Sequence, residues 1–228
     1  TASIVLRAKY QAHVAAMFVL AGDTPQAAHK NAALVMRTES TLAKASLSVV
    51  DKRDPYKLFN SMPVAELQGL TPGFDWHRYL QALGMGQVEV VNVTEPAFYR
   101  ALTRHWKASS LMDIKIYLRW HVLHSQASLL SSAFVNENFR FFAQTLRGTP
   151  QLQPRWKRCV ALVDAQLGEA LGQEFVDRAF GPELKQRTLH MTEQIEQAMH
   201  DEVQQLDWMS PATKRKAIQK LKTIVNKI

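Results

Sequence analysis

The sequence predicts an all-α fold: a multi-helix bundle with at most one short strand near residues 87–93. Three observations carry this. The 228 residues include only nine Gly and nine Pro, against many Ala, Leu, Gln and Lys, a balance that favours helix over sheet. Apolar residues recur with a 3.6-residue period in most segments between turn signals. Hydrophobic residues make up 46% and charged residues 21%, so the chain can bury a core and lacks the composition of a disordered one.

Residues 5–21 place Leu6, Tyr10, Val14, Met17 and Ala21 on one helical face, and Gly22 stops the run. Thr24-Pro25 starts a second helix to about Val49, with Ala28, Ala32, Val35, Met36 and Leu42 inward. Asp54 before Pro55 is pushed out of helical geometry and breaks it. "PVAELQGL" and "DWHRYLQAL" are short helices on either side of the turn "TPG". "QVEVVNV" alternates and is β-branched, which marks the one strand. Thr94 caps a helix through about Lys107, and residues 111–148 form a long helix closed by Gly148. Residues 155–180 follow (Trp156, Cys159, Val160, Val163, Leu167, Leu171, Phe175), stopped by Gly181-Pro182. Then come 183–206 (Met191, Ile195, Ala198, Met199, Leu206) and a last helix opened by Ser210-Pro211. Its face, Ala217, Ile218, Leu221, Ile224, Val225 and Ile228, carries no stop signal, and the start has no initiator Met. Both termini therefore read as cuts in a longer protein, with residues 1–228 a single mostly helical domain.

The formal net charge is +8, spread along the chain and concentrated only at Lys214, Arg215, Lys216, Lys220, Lys222 and Lys227. These read as solvated faces; with no interleaving of aromatic and basic residues, no nucleic-acid partner is expected. The single cysteine, Cys159, excludes an internal disulfide and a cysteine-built zinc site, and it reads as a buried, inert thiol. No run is long enough for a membrane span, since Arg7, Lys9 and His13 interrupt the most apolar one.

Chemistry-bearing motifs are scarce. The eight histidines are His13, His29, His77, His105, His121, His124, His190 and His200, and none is followed by Glu, so H-E-x-x-H is absent. His121 and His124, at i, i+3, lack a visible third ligand and read as partly buried helix residues. Glu193 and Glu196 share one helix, whereas a glycosidase pair faces across a cleft. Gly84-Met85-Gly86 precedes its strand, the reverse of a dinucleotide loop. Asn92-Val93-Thr94 matches a glycosylation acceptor, relevant only in a eukaryotic secretory setting. No catalytic, cofactor-binding or metal-binding residue is assigned, and the residues alone give a helical domain without a stated task.

The order of segments adds to this. "RAKYQAHVAAMFVLAGDTPQAA", "TLAKASLS", "RDPYKLFNSMPVAELQGLTPGFDW", "IYLRWHVLHSQASLLSSAF", "FRFFAQTLRG", "PRWKRCVALVDAQLGEALGQEFV" and "LDWMSPATKRKAIQKLKTIVNKI" together resemble the N-terminal, non-catalytic region of the neprilysin family of zinc metallopeptidases. With one cysteine, the chain is more similar to the bacterial branch. The resemblance implies a helical lobe that restricts access to a central chamber, in a parent enzyme that hydrolyses peptides with zinc. The zinc motifs, H-E-x-x-H and a downstream E-x-x-x-D, would lie beyond residue 228; no Glu here has Asp four residues later. The resemblance also implies an extracytoplasmic parent, either periplasmic or secreted. The partner would be the catalytic lobe of the same chain, whose absence predicts self-association through an uncovered docking face. The alternative is a stand-alone helical interaction domain derived from such a peptidase.

Overall fold

The computed structural model describes residues 2–228, with only the backbone of Ala2, and the chain divides into two compact units, Thr1–Leu152 and Gln153–Ile228. The fold is helical, with one small two-stranded antiparallel sheet among the described residues.

The first unit is built on an antiparallel pair, α1 (Ala2–Leu20) and α2 (Pro25–Ala45). Gly22 takes φ +97°, a conformation that favours glycine, and Thr24 accepts the Ala27 amide with Pro25 at the first helical position. The small residues Ala28 and Ala32 let the two backbones approach, with Val14, Met17, Phe18 and Val35 fully buried between them. Leu6, placed inward by the periodicity, is exposed; the inward face is Tyr10, His13, Val14, Met17 and Phe18. α2 ends at Ala45 rather than Val49, because the Glu95 carboxylate, from a distant segment, accepts the Leu47 amide at 2.6 Å.

After a single turn, α3 (Pro55–Leu58), strand β1 (Ser61–Pro63) leads into α4 (Val64–Leu70) and α5 (Trp76–Ala82). β2 (Val90–Asn92) lies in the predicted strand segment and pairs with β1 in the register Ser61↔Asn92, Met62↔Val91, Pro63↔Val90. β1 is a second strand that the sequence did not announce: three residues, one of them Pro, leave no alternation to see. Met62, Leu67 and Val93 form a small core beneath it.

α6 (Pro96–Ala108) starts at Glu95 instead of Thr94, and the Glu95 carboxylate is committed to Leu47 and to Lys52 at 2.9 Å. The long helix expected over 111–148 is broken. α7 (Leu111–Gln126) runs into a 3₁₀ turn, Leu130 is extended, and α8 (Ser132–Asn138) begins after Ser131. The serine-rich run "SLLSS" suits such a break, because short polar side chains compete with helical backbone bonds. α8 passes into a π-helical segment, Phe139–Thr145, and Gly148 at φ +69° closes it as expected. At the start of α7, the Ser110 hydroxyl accepts the Asp113 amide (3.1 Å) and the Asp113 carboxylate accepts the Ser110 amide. Replacing Ser110→Ala is expected to destabilise the unit by about 1 kcal/mol, read as a lower urea midpoint.

The second unit comprises α9 (Arg155–Ala179), α10 (Pro182–Gln205) and α11 (Pro211–Leu221). α9 is not one continuous rod: Leu167, before Gly168, has the non-helical angles φ −127°, ψ 17°. Ser210 caps α11 as expected, but the helix stops at Leu221 and does not continue to Ile228. Both the amide and the hydroxyl of Thr223 turn back to the Lys220 carbonyl, and the Asn226 amide group donates to Glu196. Ile224 and Val225 therefore leave the predicted stripe and are exposed. No residue from 153 to 228 is buried.

Candidate functional site

The residues singled out by chemistry do not converge. His121 is exposed against the Tyr117 ring, while His124 turns inward between Trp120 and Phe142. Burial, and then neighbouring His121, lower the His124 pKa. Among the described residues, no three of His, Cys, Asp and Glu gather closely enough to hold a metal ion. Glu193 lies 3.9 Å from His190, and Glu196 accepts from Asn226. Cys159, read as buried, is exposed, because α9 buries none of its residues. The Asn92 side chain accepts the Asn60 amide beside the β1–β2 pair.

The structure instead builds a polar centre in the first unit. His13 on α1 is 2% exposed and donates from Nδ1 to Glu137 Oε1 at 2.9 Å, since a carboxylate only accepts. Glu137, on α8, also pairs with Arg140 from the π segment. The same segment stacks Phe141 on His13 (5.0 Å between centroids, 12° between planes) and sets Phe142 edge-on to it. From α7, Trp120 lies edge-on to both Tyr10 and His13, and its indole N–H donates to the Tyr10 hydroxyl. Tyr10 in turn donates to Glu39 of α2 at 2.8 Å. Burial and the Glu39 carboxylate push the Tyr10 phenol well above its usual range, so it stays a donor.

His13 has two polar ends with different fates. Nδ1 is partnered, whereas Nε2 is buried with no protein partner among the described residues. A second proton would go to Nε2. Burial therefore pulls the His13 pKa down, helped by His124 and Arg140, and Glu137 opposes the shift only in part. The sequence signalled none of this: His13 and Glu137 are 124 residues apart, and the one local hint was a histidine among apolar inward positions. The centre ties α1, α2, α7 and α8 together.

The family model for the N-terminal region of peptidase family M13 matches residues 2–228, across both units. The chain belongs to peptidase family M13. M13 relatives include endothelin-converting enzyme 1 of Rattus norvegicus, 26% identical over 199 residues, with 85% of this chain and 26% of the relative covered. Neprilysin-2 of Drosophila melanogaster is 25% identical over 236 residues, covering 96% and 30%. Among solved structures, Mycobacterium tuberculosis zinc metalloprotease Zmp1 in its open state aligns with TM-score 0.78 and 33% identity, over 97% of this chain and 35% of that one. The inhibitor complex of the same protease gives TM-score 0.80 and 33% identity over 96% and 33%. PepO from Lactobacillus rhamnosis HN001, at 20% identity and TM-score 0.77, shares the fold. The chain thus spans about a quarter to a third of the length of the M13 relatives it matches.

Proposed function

We propose that this chain is the access-restricting helical lobe of a neprilysin-like zinc metallopeptidase that hydrolyses peptides. The observation that supports it most is the family match over residues 2–228, joined to 33% identity with a zinc metalloprotease across nearly the whole chain. Hydrolytic zinc needs three protein ligands and an open position for water. His121 and His124 point into different surroundings, and no bond-breaking step is assigned to them. Zinc and its ligands belong, on this reading, to the remainder of the parent protein. That remainder is also the lobe's partner, and residues 1–228 act as one domain beside it. The parent works outside the cytoplasm, a placement that rests on family likeness. Among the described residues, no helix is long and apolar enough to cross a membrane.

Steric sorting has a kinetic signature. The full-length parent should cleave a short peptide with a kcat/KM at least about tenfold above that for the same site within a folded protein or a long polypeptide. The isolated 228-residue chain should cleave neither. Equal rates at every substrate size would remove the gating role, and peptide cleavage with stoichiometric zinc by the isolated chain would remove the non-catalytic one.

A stand-alone interaction domain is the second reading. It is favoured by the unburied apolar stripe of α9, where Trp156, Val160, Leu167 and Phe175 are each at least 58% exposed. The coding frame after residue 228 separates the two: H-E-x-x-H followed by E-x-x-x-D supports the first, and an early stop codon the second.

A further inference from the structure

The first unit holds a cavity of about 350 Å³ between the α4–α5 loop and one face of α6. Its walls are aromatic: Phe74 from the loop, Trp76 from the first turn of α5, and Tyr99 and Trp106 from α6. Tyr99, Leu102, Thr103, Trp106 and Lys107 fall at i, i+3, i+4, i+7 and i+8, so one stripe of α6 supplies the far wall.

The near wall is held rigidly. The Trp76 indole donates to the Thr71 hydroxyl at 2.6 Å, and that hydroxyl, in a residue only 3% exposed, donates to the Leu67 carbonyl. Gln68 clamps the loop from both sides, donating to the Phe74 carbonyl and accepting the Trp76 amide. Phe74 packs against Trp76 at 4.6 Å between centroids, and Trp76 meets Tyr99 edge-on at 5.8 Å. A cavity at the small end of ligand-pocket sizes, lined by fixed rings, suits one planar ring.

Charge narrows the choice further. Lys107 is the one charged residue in the lining. Among the described residues it has no ion-pair partner. It sits in the last turn of α6, where free carbonyls would repel an anion, but Ser109 covers two of them: its amide donates to Trp106 and its hydroxyl to His105.

We propose that this cavity binds the C-terminal aromatic residue of a peptide, the ring between Trp76, Tyr99 and Trp106 and the free carboxylate on Lys107. The site lies wholly within the first unit and uses no zinc, so it stands or falls apart from the peptidase reading.

The test is a titration of the 228-residue chain with N-acetyl-phenylalanine, its amide and N-acetyl-alanine, following the indole N–H signals by NMR. Trp76 and Trp106 should shift saturably with the aromatic acid, while Trp120, in the polar centre, should not. The acid should bind about fivefold tighter than the amide, as expected for one partly exposed ion pair. Lys107→Met, at an exposed position, should abolish that preference and leave ring binding in place. Equal affinity for acid and amide, an unchanged preference in Lys107→Met, equal shifts from N-acetyl-alanine, or no saturable shift at Trp76 and Trp106 would each overturn the proposal.

Discussion

Trp120→Ala is expected to destabilise the first unit by about 3–5 kcal/mol, the range for removing a large aromatic side chain from a packed core. Trp120 is 1% exposed and lies edge-on to Tyr10 and His13, tilted toward Phe18, and stacked on His124. Truncation opens a cavity among these rings. It also removes the indole donor to the Tyr10 hydroxyl, which keeps only its bond to Glu39. The measurement is urea unfolding, with hydrogen exchange on α1 and α7 assigning the loss to this unit. A loss below about 1 kcal/mol would mean that the rings close over the gap, contrary to a close-packed centre.

Acid should loosen the same centre. His13 has a folded pKa below its unfolded value of about 6.5, and so has His124. The unfolded chain therefore binds more protons once the pH drops below that value. The stability these residues contribute is complete above about pH 6.5 and is lost as the pH falls from there toward their folded pKa values. Each can contribute a slope of at most about 1.4 kcal/mol per pH unit. The groups facing His13 are Glu137 and Arg140 from α8 and the π segment and His124 from α7. Of these only Glu137 favours the added proton, and it already accepts from Nδ1. The expected result is a urea midpoint that is flat from pH 8 to 7 and falls below about 6.5. In a His13→Gln, His124→Gln double variant the decline should shift to the carboxylate range. A double variant that keeps the wild-type profile would assign the effect to other groups.

How far the sequence foretold the molecule depended on whether the signal was local. The Gly22 stop, the Thr24-Pro25 start, the Ser210 cap and the Gly148 close were legible because each uses a backbone preference of the residue itself. The end of α2 was not, because it is set by Glu95, 48 residues beyond the amide it captures. The break after α7 was hidden in "SLLSS", with neither Gly nor Pro to announce it. The helical period placed Tyr10, Val14 and Met17 inward correctly, but it could not reveal that His13 beside them had a buried carboxylate waiting on α8. The aromatic cavity was divided among a turn and two helices read separately, and only the packing of α5 and the loop before it onto α6 brought Trp76 to Tyr99.

The second unit has three helices and no buried residue. Such a unit has little apolar burial of its own to set against the loss of chain entropy, about 1–2 kcal/mol for each backbone residue fixed. Most helical stability in proteins comes from packing of an apolar face, and none of these three helices has a buried residue. One melting temperature then describes the 228-residue chain poorly, because the first unit has a core to unfold cooperatively and the second does not. Any surface that covers α9 must also supply the free energy that orders the helix. Part of the gross attraction is spent in that way, so the observed affinity falls short of what the area of apolar contact would suggest.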